Sequence, residues 1–154
     1  MLLLAVPSQV QALDLGQLLT DTRAQPPVPT LTCQGQGVCA GSLVPSILVG
    51  TPGQVMVLHL VRNLVMMGGA GAKVLTPVTL PQANHQEWPG LQPSVVLAHR
   101  ANPNHWLAFV RVGGVWWRAD SARAAIVQED PFQSQIGPNS GRRGYTVDLV
   151  MLTQ

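Results

Sequence analysis

Apolar and polar positions follow one period in the first part of the chain and another in the second. Between Ser8 and Thr20, Val10, Leu13, Leu15, Leu18 and Leu19 form a broad apolar stripe at helical spacing, with Ser8 placed to cap it. Thr51, Pro52 and Gln54 read as the cap, first position and capping box of a second helix, which runs to about Met67 and ends at Gly68-Gly69. That segment is apolar on most sides, so it is expected to be central. His59 lies within it, as a residue at the helix edge or an alternative catalytic histidine. From Lys73 the period shortens. Val74, Leu75, Val78 and Leu80 suggest a strand that Pro77 confines to an edge or a bulge. Ser94 to Ala98 reads as a short buried strand, Ala122 to Gln128 as a short helix, and Tyr145 to Leu152 as a strand apolar on both faces.

The most informative pattern is His105 to Ser121, two strands joined at Gly113-Gly114. A two-residue hairpin turn asks for positive φ at both central positions, which glycine meets without a steric penalty. The register then follows: Val112 faces Val115, Arg111 faces Trp116, and Leu107 faces Asp120. His105 becomes the diagonal neighbour of Asp120 on one face, within reach of an imidazole–carboxylate hydrogen bond. A carboxylate that fixes a histidine tautomer is half of a catalytic triad. Asp120 also has Arg118 and Arg123 as alternative partners.

Helices first and strands afterwards predict an α+β fold, with N-terminal helices packed on a mostly antiparallel sheet. A length of 154 residues suits a single domain, 1–154, with a full core. Charged residues make up only 10% of the chain and the formal net charge is +2, which gives no reason to expect nucleic acid or an anionic membrane as the main partner. Lys73 is the only lysine among nine basic residues. Met1 to Val6 lacks the basic start and cleavage site of a signal peptide, and no apolar run reaches the length of a membrane span. Two cysteines, Cys33 and Cys39, are too few for a disulfide scaffold and lack nearby partners for a zinc site, so a reducing, cytoplasmic setting is expected and no metal or organic cofactor is called for. Trp88, in the loop from Pro81 to Pro93, covers core or meets a substrate. Arg142-Arg143, in a polar segment, forms a solvated loop or a substrate-facing rim.

A nucleophile is offered upstream. Gln34-Gly35-Gln36-Gly37-Val38-Cys39-Ala40 is a glycine-rich turn running into a cysteine and then an apolar run from Leu43 to Val49. At a helix N-terminus Cys39 would feel the positive end of the dipole, which favours the thiolate. Gln34 can place an amide donor beside the Cys39 N–H, where an oxyanion would develop. Cys33 is the alternative nucleophile, without a glutamine at the same distance.

Gln34, Cys39-Ala40, His105-Trp106 and Asp120 together resemble the Josephin-type branch of the papain-like cysteine peptidases, whose members are deubiquitinating enzymes. The resemblance covers about thirty residues in two blocks. Gln34 matches the oxyanion glutamine, Cys39 the nucleophile, His105 the general base, and Asp120 the third residue, usually asparagine in that family. It implies a papain-like cysteine protease fold, a thiol-dependent hydrolysis of peptide or isopeptide bonds, and ubiquitin or another protein as substrate. Asp120 is also shared with transglutaminase-like acyltransferases. The same residues fit a papain-like protease of polyproteins or host proteins without ubiquitin specificity, and a non-catalytic binding module on the same fold.

Overall fold

The computed structural model describes residues 1–7, 11–24, 31–32, 42–43, 53–62, 73–80, 85–100, 104–120, 122–123, 125–132 and 145–154. In chain order these form β1 (Leu2–Ala5), β2 (Leu13–Asp14), α1 (Leu15–Ala24), β3 (Leu31–Thr32), β4 (Ser42–Leu43), β5 (Val55–Val61), β6 (Val78–Thr79), β7 (Gln92–Arg100), β8 (His105–Val112), β9 (Val115–Asp120), β10 (Ala125–Gln128) and β11 (Thr146–Thr153). Seven strands make one mixed sheet in the order β1-β5-β11-β7-β8-β9-β10. Only the β1–β5 pairing is parallel, and the other pairings within it are antiparallel. Two further pairs, β2 with β6 and β3 with β4, stand apart from it.

One face of the sheet carries the core. A row of partners crosses it from Leu58 through Val150 and Val96 to Phe109, all at 1% exposure or less. Side chains alternate across a strand, so this row fixes which residues of every strand point inward. Leu15, Leu18 and Leu19 of α1 belong to the same buried cluster, together with Leu4, Trp88 and Leu91. Trp88, fully buried, is therefore a core residue. Complete burial of side chains this size contributes about 1.5–3 kcal/mol each. α1 starts where Asp14 accepts a hydrogen bond from the Gln17 N–H at 3.0 Å, an N-cap three residues from the donor it satisfies. Thr20 donates to Glu87 at 2.8 Å and Arg23 pairs with the same carboxylate, which ties α1 to the segment carrying Trp88.

β11 is bulged between Val147 and Leu149. The extra residue lets Thr146, Val147 and Asp148 all be buried in succession, which strict alternation forbids. Asp148 thereby faces two cations. Arg62, 4% exposed, lies 3.2 Å from it and also donates to the backbone carbonyls of Val147 (2.8 Å) and Thr76 (2.6 Å). Lys73 meets Asp148 at 2.8 Å and donates to the carbonyl of His99 at 2.9 Å. Burial pulls the Arg62 guanidinium down to about 10 and lowers the Lys73 ammonium as well, in each case against the opposing pull of Asp148. Three backbone carbonyls from two segments, Val147 on one and Val74 and Thr76 on the other, thus find their donors on one buried side chain, Arg62.

The balance of elements differs from the expected α+β layout. α1 is the one helix among the described residues, and the molecule is mostly β. The helix expected from Thr51 to Met67 is replaced over its described part by strand β5. Met56, Leu58 and Leu60 are buried while Val57, His59 and Val61 are only half-buried, so the period is two. Both faces carry apolar residues, and that made the stretch look apolar all round. His59 consequently sits on a strand. Likewise 125–128, within the helix expected over Ala122 to Gln128, is an edge strand paired with β9. The strand expected from Lys73 to Leu80 is reduced to Val78–Thr79, and that expected over Ser94 to Ala98 extends to Gln92–Arg100. The first helix begins at Leu15, with Asp14 as its cap. Ser8, the segment Gln25 to Pro29, Thr51, Gly68-Gly69 and Arg142-Arg143 lie outside the described residues. Among the described residues, no helix is long and apolar enough to cross a membrane.

Candidate active site

The β8–β9 hairpin forms as its sequence predicts. Gly113 and Gly114 have φ of +58° and +81°, and the pairs Val112–Val115, Arg111–Trp116 and Leu107–Asp120 are all present. Leu107 is buried on the core face. His105 and Asp120 therefore project from the same face as the core, where the buried layer gives way to the end of the sheet.

The two side chains meet. His105 Nε2 lies 2.8 Å from Asp120 Oδ1, with side-chain exposures of 16% and 8%. The pair is shielded enough for the hydrogen bond to gain over its strength in water, yet the imidazole is still reachable. Asp120 Oδ1 also accepts the backbone N–H of Ala122 at 2.9 Å, and Oδ2 lies 3.5 Å from Arg118 Nη1. Arg118 is anchored in turn by Glu129 at 2.5 Å. Partial burial works to raise the Asp120 pKa. The Ala122 N–H, the His105 hydrogen bond and charge, and the Arg118 charge outweigh it and hold the carboxyl below the ordinary aspartate value. Asp120 therefore serves His105 and Arg118 together, and the two partnerships coexist.

An ionised carboxylate only accepts, so Nε2 carries the proton donated to Asp120. In the neutral ring Nδ1 is then the lone-pair nitrogen. A ring held in that tautomer is a proton acceptor at Nδ1 and nowhere else, which is what a general base requires.

One residue at this nitrogen was not anticipated from sequence. The Tyr145 hydroxyl is hydrogen-bonded to His105 Nδ1. Its ring meets the imidazole edge-on, with centroids 5.7 Å apart, and the Arg100 guanidinium lies 4.9 Å above the tyrosine ring. The register explains the meeting. Arg100 pairs with His105, and Tyr145 immediately precedes Thr146, the partner of His99. Nothing in the local pattern around residue 145 signals this, because the contact depends on β11 entering the sheet beside β7.

On the opposite face, His99 stacks on Trp106 at 4.2 Å. Its Nδ1 faces Lys73 and its Nε2 faces Asn104, so both ring nitrogens are engaged. Gln34, Cys33 and Cys39 lie outside the described residues, so the described part of the candidate site consists of His105, Asp120 and Tyr145. Among the described residues, no three His, Cys, Asp or Glu side chains cluster so as to hold a metal ion.

No protein-family model and no curated protein sequence matches the chain. Solved structures do. Over 99% of its length the chain superposes on part of a chain of the SAGA Ubp8/Sgf11/Sus1/Sgf73 DUB module, with a TM-score of 0.57 and 16% identity, covering 32% of that chain. The same module bound to ubiquitin aldehyde gives a TM-score of 0.59 at 15% identity over 99% of this chain and 35% of that one. A yeast SAGA DUB module carrying an Sgf73 mutant gives a TM-score of 0.59 at 15% identity, again over 99% of this chain and 34% of that one. The chain thus spans about a third of the length of the chains it matches, and at this identity the likeness is one of fold: a distant structural resemblance to part of a deubiquitinase module.

Proposed function

We propose that this chain carries the base-bearing part of a thiol-dependent hydrolase of the deubiquitinase class. The observation that carries the reading is the 2.8 Å bond from His105 Nε2 to Asp120, which leaves Nδ1 as the ring's proton acceptor. The likeness to chains of DUB modules, one of them bound to ubiquitin aldehyde, supports the choice of substrate class. The papain-like layout and the Josephin-type assignment rest on the sequence blocks around Gln34, Cys39, His105 and Asp120.

In this reading His105 Nδ1 takes the proton of a cysteine thiol, giving a thiolate–imidazolium pair that Asp120 stabilises. Cys39 is the thiol this sequence offers. The thiolate attacks the carbonyl of a peptide or isopeptide bond, and Gln34 with the Cys39 N–H holds the oxyanion. The imidazolium then protonates the leaving amine, and water hydrolyses the thioester. The residues invoked complete this sequence without metal or organic cofactor.

The test is labelling with an electrophilic ubiquitin C-terminal probe, comparing wild type with Cys33→Ala, Cys39→Ala and His105→Ala. The expected result is a covalent adduct that is lost in Cys39→Ala, kept in Cys33→Ala and slowed in His105→Ala. An adduct that survives Cys39→Ala but still depends on His105 would move the nucleophile to another thiol. No adduct with wild type would remove the ubiquitin reading.

A further inference from the structure

We propose that Tyr145 is a gate on the base: its hydroxyl occupies the one nitrogen of His105 that can accept a proton, and it must withdraw before His105 can serve a nucleophile. The catalytic meaning of this gate rests on the thiol-hydrolase reading above. The contact itself does not.

Proton accounting makes the case. Asp120 claims the Nε2–H, so the neutral ring keeps a single lone pair, at Nδ1. The Tyr145 hydroxyl is hydrogen-bonded there, and against a lone pair it can only donate. A thiol S–H approaching His105 needs the same lone pair in the same plane. The two donors are mutually exclusive at a nitrogen with one acceptor site. Catalysis therefore begins with an exchange: the Tyr145 O–H···Nδ1 bond breaks, and the thiol proton passes from sulfur to Nδ1.

The surroundings favour a gate that is held but not locked. Tyr145 is half-buried and sits just ahead of β11, while His105 starts β8. Arg100 lies over the tyrosine ring at 4.9 Å, and its Nε is buried with no hydrogen-bond partner among the described residues. The guanidinium therefore positions the ring by its charge over the π face. Withdrawal of the hydroxyl from Nδ1 breaks the one hydrogen bond it makes to His105. A neutral hydrogen bond of this kind is a small net barrier, well within what substrate binding can supply. The groups that face His105 are thus Asp120 and, behind it, Arg118 on β9, Tyr145 at β11, and Arg100 on β7.

The test uses diethyl pyrocarbonate on the whole chain, with modified histidines located by peptide mass mapping. The bare imidazole nitrogen attacks the reagent's carbonyl and expels ethanol and carbon dioxide, so the rate at each histidine reads the availability of its lone pair. Tyr145→Phe removes the hydroxyl and keeps the ring over Arg100. Modification of His105 is expected to rise roughly three- to tenfold, the population shift from losing one neutral hydrogen bond. His99, whose two ring nitrogens are held by Lys73 and Asn104, is expected to remain slow and serves as the control. An unchanged or slower rate at His105 overturns the gate. If His99 also accelerates, the variant has loosened, and the wild-type ¹⁵N spectrum decides instead: a hydrogen-bonded Nδ1 resonance supports the gate, and a free pyridine-type resonance overturns it. In the same variant the ubiquitin probe is expected to react faster than with wild type. Slower probe labelling with faster His105 modification would make Tyr145 a support for the base and end the gate proposal. Absence of labelling in both proteins would instead strike the thiol-hydrolase reading, leaving the histidine result to judge the contact alone.

Discussion

At the scale of single residues, the site is an ordered set of hydrogen-bond obligations. Asp120 accepts from His105 and from the Ala122 N–H, and both bonds favour its ionised form. Its pKa is held below the ordinary value of 3.8. A carboxyl with a lowered folded-state pKa stabilises the fold above its unfolded value, and that contribution disappears as pH falls through the folded value. Asp120→Asn is therefore expected to be less stable than wild type at pH 7, with the gap closing in acid below the lowered pKa. Urea denaturation at both pH values checks it, and a gap of equal size at both would mean that the charge of Asp120 plays no part. The His105–Asp120 pair was legible in the sequence because a two-residue Gly-Gly turn leaves one register, and register dictates which side chains meet. Tyr145 was not legible, since its meeting with His105 spans 40 residues and depends on which strand lies beside β7.

At the scale of elements, α1 is held by a close approach that only glycine allows. A Cβ on Gly16 would lie 2.2 Å from His85 Cε1 and 2.3 Å from its Nε2. The imidazole has little freedom to retreat, because its ring lies against fully buried Trp88, tilted by 31° with centroids 4.6 Å apart. Alanine would raise intrinsic helix propensity by about 1 kcal/mol, but forcing a methyl into packed space costs about 1–3 kcal/mol. Gly16→Ala is expected to be net destabilising by about 1 kcal/mol, and His85→Ala in the same chain should restore most of the loss. A double-mutant cycle in urea measures this coupling; strict additivity would show that the ring moves freely. The elements also mark where sequence patterning misleads. β5 alternates faithfully, yet Val57 and Val61 on its other face are apolar too, so a period of two was hidden inside a run that satisfies a helix as well. The N-cap at Asp14 was masked in the same way by an earlier serine and by Val10 and Leu13, whose spacing continues backwards from α1. Burial of Asp148 was beyond reach of any periodic reading, since a bulge moves it off the alternation.

At the scale of the whole molecule, the sheet order brings the chain's chemistry to one end. β11 runs between β5 and β7, next to the β7–β8–β9 meander that carries His105 and Asp120, so Tyr145 and Arg100 arrive at the same corner. The mostly antiparallel sheet with a helix packed on it was foreseeable from the order of apolar periods, whereas the weight of β over α was not. The likeness to about a third of the length of DUB-module chains is one of fold. The decisive measurement is hydrolysis of a fluorogenic amide at the ubiquitin C-terminus by wild type and His105→Ala. The expected result is turnover by wild type and a loss of at least about 100-fold in the variant, the usual contribution of a general base. Turnover by His105→Ala at the wild-type rate, or none by wild type, would contradict a deubiquitinase built on His105 and Asp120.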